Sequence, residues 1–566
     1  MPPLSILIWL PAACGVLGVL VGAAGASRRA AGGGSDGEEQ GGSARAGWSV
    51  PGVICLLGSL AALGLAIGYI AEYKPGGGLQ HVTDIVWIAT LGIHYKLAVT
   101  GLNVFLLGLT TLLFAAAVLA TNLRSHSSAV DRPRLFYFNF MLAESAVLGA
   151  FLAQDIALFV AFFDLMLIPF YFLIGSWGEG RDRVKATLKL VVYTLVGSLL
   201  MLAATVATGV LAAQQGGGHI TFVLSALQGL PLSTGAQEWI FLFFAAAFLV
   251  KMPAFPLHGW MPDGYTAMPM EVLVVFSSVL SKVGAYGFLA IVLPLFPRAA
   301  VHFQTLMLLI ALASIVYGSI QAFSQTNARM ILAYSSMAQL GFITLGIFAL
   351  NPQGAQGALL QMLNHGLVMA AGLFIVAVLA RRAGGSEDIR DMGGIALRAP
   401  VLVTIFLIVS LATLAMPGSA NFVGEFLILL GAFKAKLVIA IIAFSGVIMA
   451  SVYALRLFIR AMHNRVGANA QPREISIRDG AVLVPLVLVI VFMALYPQLA
   501  LRRSESSAKA AVASTSTALH PPAAVASTPG ATTGEPAEAS TGEVPEGGAS
   551  EAAEAATGES AEGSER

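Results

Sequence analysis

Six ionisable side chains of this 566-residue chain lie inside long apolar runs. Glu144 sits in MLAESAVLGAF, Asp164 in VAFFDLMLIPFYFLIGSWG and Lys251 in FLVKMPAFPLHGWMPD. Lys282 sits in SSVLSKVGAYGF, His365 in QMLNHGLVMAAGLF and Glu425 in AMPGSANFVGEFLILL. A charge at the centre of a bilayer costs about 2.5 to 3.5 kcal/mol on insertion scales, so such groups face a partner or a water-lined cavity and mark ion or proton pathways. In chain order the set supplies two acids, two lysines, a histidine and a third acid, which alternates proton acceptors with donors. One buried ion pair reads as structural glue, whereas six titratable groups on six spans read as a relay. Individually, a bland alternative stays open for His365 as hydrogen-bonded filler and for Glu144 as the partner of a neighbouring arginine. His258 and Asp263 read as loop or interfacial groups.

Prolines surround two of these residues. Pro253 and Pro256 follow Lys251 directly, and Pro253 is expected to leave a carbonyl near Leu249 without its helical partner. Pro417 and Gly418 break a later run about two turns before Glu425. Broken helices at membrane depth are tolerated where protein encloses them or where they line an aqueous cavity. The two breaks fall on spans seven and twelve. An interval of five spans reverses orientation, which predicts an inverted repeat of helices four to eight and nine to thirteen.

The elements that position these groups are membrane spans. Hydrophobic residues make up 57% of the chain and charged ones only 11%, against about 25% charged in soluble domains. About fourteen apolar stretches are long enough to cross a bilayer, so the expected fold is all-α and polytopic, with one broken helix in each of two five-helix inverted repeats. The run from Leu4 to Gly25 reads as a retained helix, having Arg28 and Arg29 behind it. Arginines concentrate in the odd-numbered connections, which places those in the cytoplasm and both termini outside. The expected divisions are 1–130 for helices one to three with a glycine-rich cytoplasmic loop, 131–295 and 296–465 for the two repeats, 466–503 for helix fourteen, and 504–566 for a disordered acidic tail. A net charge of +1 offers no basic field for nucleic acid, and Cys14 and Cys55 lack metal-type spacing.

The stretches FFDLMLIPFYFLIGSWG, VKMPAFPLHGWMPD, SKVGAYGFL, ARMILAYSSMAQLGFITLGIFALN, QMLNHGL and MPGSANFVGEFLILLGAF together resemble the antiporter-like membrane subunits of bacterial respiratory complex I, the proton-translocating NADH:quinone oxidoreductase. The resemblance runs from about residue 85 to 465. Pro169 after the fifth-helix acid, and Glu425 where sister subunits place a lysine, mark the branch of that family that includes chain M.

The resemblance implies proton translocation driven by quinone reduction in partner subunits. It matches Asp164 to the acid that pairs with the seventh-helix lysine, here Lys251. Lys282 is similar to the eighth-helix lysine, His365 to a relay residue and Glu425 to the terminal site; Glu144 is the reserve acid should Asp164 not serve. The chain departs from the family pattern at Asp164, one methylene shorter than the usual glutamate, so its pair with Lys251 needs a closer backbone or a bridging water. It departs again at Gln339, where a histidine is common and where an amide cannot carry a proton. The resemblance implies no cofactor in this chain, with NADH, FMN, iron-sulfur clusters and quinone held by partner subunits. It also implies other membrane subunits of complex I, sister antiporter-like subunits among them, as partners in the bacterial inner membrane. A subunit of a multisubunit sodium/proton antiporter or of a membrane-bound hydrogenase shares the fold, and a non-transport scaffold is the remaining alternative.

Overall fold

The computed structural model describes residues 1–31, 49–123, 130–216, 218–229, 232–463, 466–467 and 470–519. The expected glycine-rich loop at 32–47 and the acidic segment beyond 519 lie outside them. The apolar runs become helices because, without water, each backbone N–H and C=O must pair within its own segment. Helices α1 (Leu4–Ala31) and α2 (Val50–Glu72) lead to a hairpin of β1 (Gln80–Ile88) and β2 (Ile93–Val99). Then come α3 (Val104–Asn122), α4 (Pro133–Leu152), α5 (Ile156–Trp177), α6 (Arg183–Gly216) and α7 (Thr234–Lys251). Next are α8 (Met270–Leu295), α9 (Gln304–Ser324), α10 (Ala328–Phe348) and α11 (Pro352–Arg382). The chain continues through α12 (Pro400–Thr413), α13 (Ala420–Ala435), α14 (Leu437–Met462), α15 (Ile477–Leu495) and α16 (Gln498–Leu519).

Among the described helices thirteen are long and apolar enough to cross a membrane. The remaining span is divided, α12 and α13 flanking Pro417 and Gly418, and the backbone at Gly418 has φ +91, a conformation that side chains rarely adopt. With it the count matches the spans read from hydropathy. Helix α10 is buried along its whole length, and α8 and α11 nearly so. Helices α6 and α14 turn Val192, Val196, Leu199, Val438, Ile441 and Phe444 outward, as lipid-facing surfaces do. Lys282 of α8 and His365 of α11 therefore sit in the innermost layer.

Two elements differ from expectation. The hairpin interrupts an otherwise helical chain. Its strands are rich in β-branched and aromatic residues, QHVTDIVWI against IHYKLAV, and pair antiparallel with Asp84 opposite Lys96. Gly92 ends its turn at φ +62, and a Cβ there would lie 2.0 Å from Ile220 O. The first part of the tail expected to be disordered, 504–519, is instead the body of α16. Its buried residues Ala500, Ser504, Ala508, Ala511, Val512 and Thr515 recur at helical spacing. A stripe of small side chains suffices here because alanine is the best helix former and lets the helix lie close on its support.

Hydrogen bonds sort the connections onto two faces. Arg329, in the first turn of α10 next to the connection from α9, reaches Glu387 after α11, Glu179 after α5 and Met268 O after α7. Four odd-numbered connections thus meet at one buried guanidinium. On the opposite face the hairpin bridges Leu97 to Ala153 after α4, and Asp155 bridges to Val223 after α6. Helix α16 joins that face through Ser507 Oγ accepting from Gly101 N at 3.1 Å and Gln356 donating to Leu501 O at 3.0 Å.

Candidate functional site

Lys251 is the last residue of α7 rather than a mid-helix one, because the chain cannot stay helical through Pro253. The expected orphan carbonyls have protein partners: Ala254 N donates to Leu249 O at 3.0 Å, and the buried Trp260 indole donates to Val250 O at 3.0 Å. After the break the chain resumes as a short helix, Met261–Ala267. Lys251 is buried, with Nζ 4.5 Å from the centroid of the Phe163 ring. Such a cation–π contact is worth about 2 kcal/mol when desolvated.

Asp164 lies on α5, one turn before Pro169, whose missing N–H interrupts the helix at Met166. Its Oδ1 accepts a hydrogen bond from Ser198 of α6. No ion pair within 4.0 Å joins Asp164 to Lys251, although their charges interact. The closer backbone approach that a shortened acid would need is therefore not made.

Lys282 is fully buried on α8, donating to Ser277 O at 2.7 Å and lying 3.3 Å from Ser281 Oγ. Its turn is α-helical, but π-helical turns, Phe276–Leu280 and Phe288–Val292, flank it on both sides. Such turns are frequent at functional sites. Glycines bring the neighbouring helices close: a Cβ at Gly284 would lie 2.9 Å from Phe248 O of α7, and one at Gly366 would lie 2.8 Å from Ser278 O. The second approach sets His365 beside α8, within electrostatic range of Lys282.

Glu425 is buried on α13 and joins an amide chain. Gln339 Nε2 of α10 donates to Glu425 Oε1 at 2.7 Å, and Gln361 Nε2 of α11 donates to Gln339 Oε1 at 2.8 Å. Gln361 Nε2 also lies 3.3 Å from Glu425 Oε1. Gln339, which cannot carry a proton, thus serves as a donor that fixes the acid. Between Lys282 and Glu425 runs a series of buried polar atoms without partners: Ser278 Oγ, His365 Nδ1, Asn364 Oδ1, the Asn421 amide, Gln361 Oε1 and Glu425 Oε2. Asn364 Nδ2 donates to Ala420 O at 2.6 Å, next to Asn421, and Gln361 precedes His365 by one turn, so the members on α11 and α13 lie on facing helices. Buried polar atoms are almost always paired, by ordered water where not by protein.

Glu144 stands apart from the lysines. Buried on α4, it accepts from Ser59 Oγ of α2 at 2.7 Å, a serine and not the arginine considered for it. Asp263 pairs with Lys189 at 2.6 Å, and His258 packs against Phe255 and Tyr317.

A family model described as NADH:quinone oxidoreductase/Mrp antiporter, TM, matches residues 153–451. NADH-quinone oxidoreductase subunit M of Rhodobacter capsulatus is 35% identical over 458 residues, covering 79% of this chain and 87% of that protein. NADH-quinone oxidoreductase subunit M of Escherichia coli (strain K12) is 36% identical over 477 residues, covering 82% and 92%. This chain belongs to the NADH:quinone oxidoreductase/Mrp antiporter family. A chain of respiratory complex I from Thermus thermophilus with bound NADH shares the family fold with a TM-score of 0.79 at 28% identity, over 90% of this chain and 99% of that one. The matched region of the family model starts just before α5 and ends within α14, so it contains Asp164, Lys251, Lys282, His365 and Glu425 but not Glu144. A scan for charges alone passed over Ser278, Gln361, Asn364 and Asn421; the spacing of Gln361, Asn364 and His365 on one helical face was the available signal.

Proposed function

We propose that this chain is the proton-translocating membrane subunit of an NADH:quinone oxidoreductase, passing protons along Asp164, Lys251, Lys282, His365 and Glu425. The observation that carries the reading is the set of unpartnered buried polar atoms on α8, α11 and α13, the helices that hold Lys282, His365 and Glu425. Such a set suits water-mediated proton transfer and has no use in a plain scaffold, where each unpaired group costs about 1–3 kcal/mol.

Asp164 acts on Lys251 through space. A nearby carboxylate favours the charged lysine, and its withdrawal or neutralisation favours release of the proton toward Lys282. At an effective dielectric near 20, two charges about 4 Å apart interact by about 4 kcal/mol, and the effect falls with the inverse of distance. Modest side-chain movement therefore changes the balance. Gln339 and Gln361 hold Glu425 as the receiving group. NADH, FMN, iron-sulfur clusters and quinone belong to partner subunits, and this chain carries no cofactor. The units 131–295 and 296–465 form the two inverted repeats, each supplying one broken helix. In the bacterial inner membrane the Arg329 face is cytoplasmic by the positive-inside rule, and both termini lie outside.

The test uses the assembled complex in sealed vesicles. Lys251→Ala and Lys282→Ala each reduce vesicle acidification per NADH oxidised by more than tenfold while assembly persists. Near-normal acidification in either variant overturns the route through that lysine.

A further inference from the structure

A hydroxyl inside an apolar helix ordinarily satisfies itself on its own backbone. On α6, Thr187, Thr194 and Thr208 do so, donating to Arg183 O, Leu190 O and Ala204 O, each 2.7 Å away and four residues back. Ser198, buried on the same helix, does not. Its Oγ donates across to Asp164 Oδ1 on α5. The local bond is given up for one to a carboxylate, and a hydrogen bond with an ionised acceptor is the stronger kind.

The packing puts this serine where the charge pair is decided. Gly197 brings α6 against α7: a Cβ there would lie 3.1 Å from Ala247 Cα and 3.7 Å from Val250 Cβ, next to Lys251. One residue on, about 100° further around the helix, Ser198 faces α5 instead. Lys251 has its Nζ 4.5 Å from the centroid of the Phe163 ring, the side chain before Asp164. Each member of the pair is thus held by a third group, the acid by a hydroxyl and the lysine by a ring face, and no ion pair closes between them. The other arrangement is equally satisfied. When Asp164 swings to Lys251, rotation about χ1 returns Ser198 Oγ to Thr194 O, four residues back, the acceptor that the neighbouring threonines use. Neither arrangement leaves the buried hydroxyl without a partner.

We propose that Ser198 is a latch for Asp164: its hydroxyl holds the carboxylate off Lys251 and keeps open the separated arrangement from which the lysine gives up its proton. The proposal rests on the proton-translocation reading and adds to it the group that competes with Lys251 for the acid. Ser198 is a positioning residue, since it acts through Asp164 and carries no proton along the route.

The experiment compares Ser198→Ala with Ser198→Thr in the assembled complex in sealed vesicles. Ser198→Ala removes the latch with little change in volume, so Asp164 stays on Lys251. Acidification per NADH oxidised is expected to fall about tenfold, the scale set by loss of a hydrogen bond to a charged group. Ser198→Thr keeps a hydroxyl with the same choice between Asp164 and the carbonyl four residues back, and is expected to retain transport to within about twofold. Normal acidification in Ser198→Ala overturns the proposal. So does an equal loss in both variants, which is the mark of a packing role. Lys251→Ala in the same assay separates the two ideas: normal transport in that variant removes the relay itself, whereas lost transport there beside normal transport in Ser198→Ala removes only the latch.

Discussion

Asp164 and Gln339 are the two residues at which this chain departs from the pattern its relatives suggest, and both have a geometry that explains the tolerance. Asp164 influences Lys251 without touching it, so a carboxylate one methylene longer should serve equally. Asp164→Glu is expected to keep proton transport within a few-fold, and Asp164→Asn, which removes the charge, to cost more than tenfold; paired measurements of NADH turnover and vesicle acidification check both. If Asn performs as well as Glu, Asp164 is not the modulating acid. Gln339 places a donor 2.7 Å from a buried carboxylate, and leaving such an acceptor short of partners costs about 1–3 kcal/mol. Gln339→Leu is thus expected to lower transport several-fold, while Gln339→His, which keeps a donor, retains most of it. The acids and lysines could be found from the sequence because a charge inside an apolar run is anomalous by type. Gln361 and Asn364 left only their helical spacing with His365 as a signal, and Ser278 and Asn421 left none, since nothing in either alone says that its neighbours leave it unpaired.

At the scale of elements, close helix approach and connection chemistry do the positioning. Gly366 lets α11 reach the π-helical turn of α8, and a Cβ there would fall 2.8 Å from Ser278 O. Overpacking of this kind costs about 1–3 kcal/mol. Gly366→Leu is expected to separate His365 from Lys282, lowering both thermal stability and transport; a stable variant with normal transport would show that His365 is packing filler. On the Arg329 face, the hydrogen bonds from Arg390 hold the Asp388 carboxyl down at about 2, from an ordinary 3.8, with Thr326 adding a further bond. Because the folded value is depressed, this acid's contribution to docking the connection after α11 is complete above about pH 4 and is lost as pH falls through about 2. Hydrogen exchange at residues 386–391, corrected for intrinsic rate, should accelerate over that window, and Asp388→Asn should show the fast exchange already at neutral pH. The positions of the two helix breaks were legible from Pro253 and Pro417. What fills the first break was not, because Trp260 lies nine residues beyond Lys251 and only the folded turn brings its indole to Val250 O.

For the molecule as a whole, α16 is the element whose removal tests the assembly of the hairpin face. Truncation after Pro497 uncovers Leu293, Gly101 and Gln356 together. It is expected to lower the thermal stability of the purified complex; unchanged stability would show α16 to be dispensable. The sequence alone determined that the chain is a membrane protein, how many times it crosses, where two spans break and which six ionisable groups lie within them. Those are one-dimensional properties: hydrophobic length, proline chemistry and residue type are set locally by the cost of exposing backbone or charge to hydrocarbon. Tertiary structure alone decided that Glu144 belongs with Ser59 and not with the lysines, that Asp164 and Lys251 interact across a gap, and that amides from α10 and α11 meet at Glu425. It likewise decided that an alanine-rich stretch with few large apolar residues folds onto the hairpin face. Each of these depends on which helix faces meet, and that is fixed by side-chain packing between segments far apart in the chain.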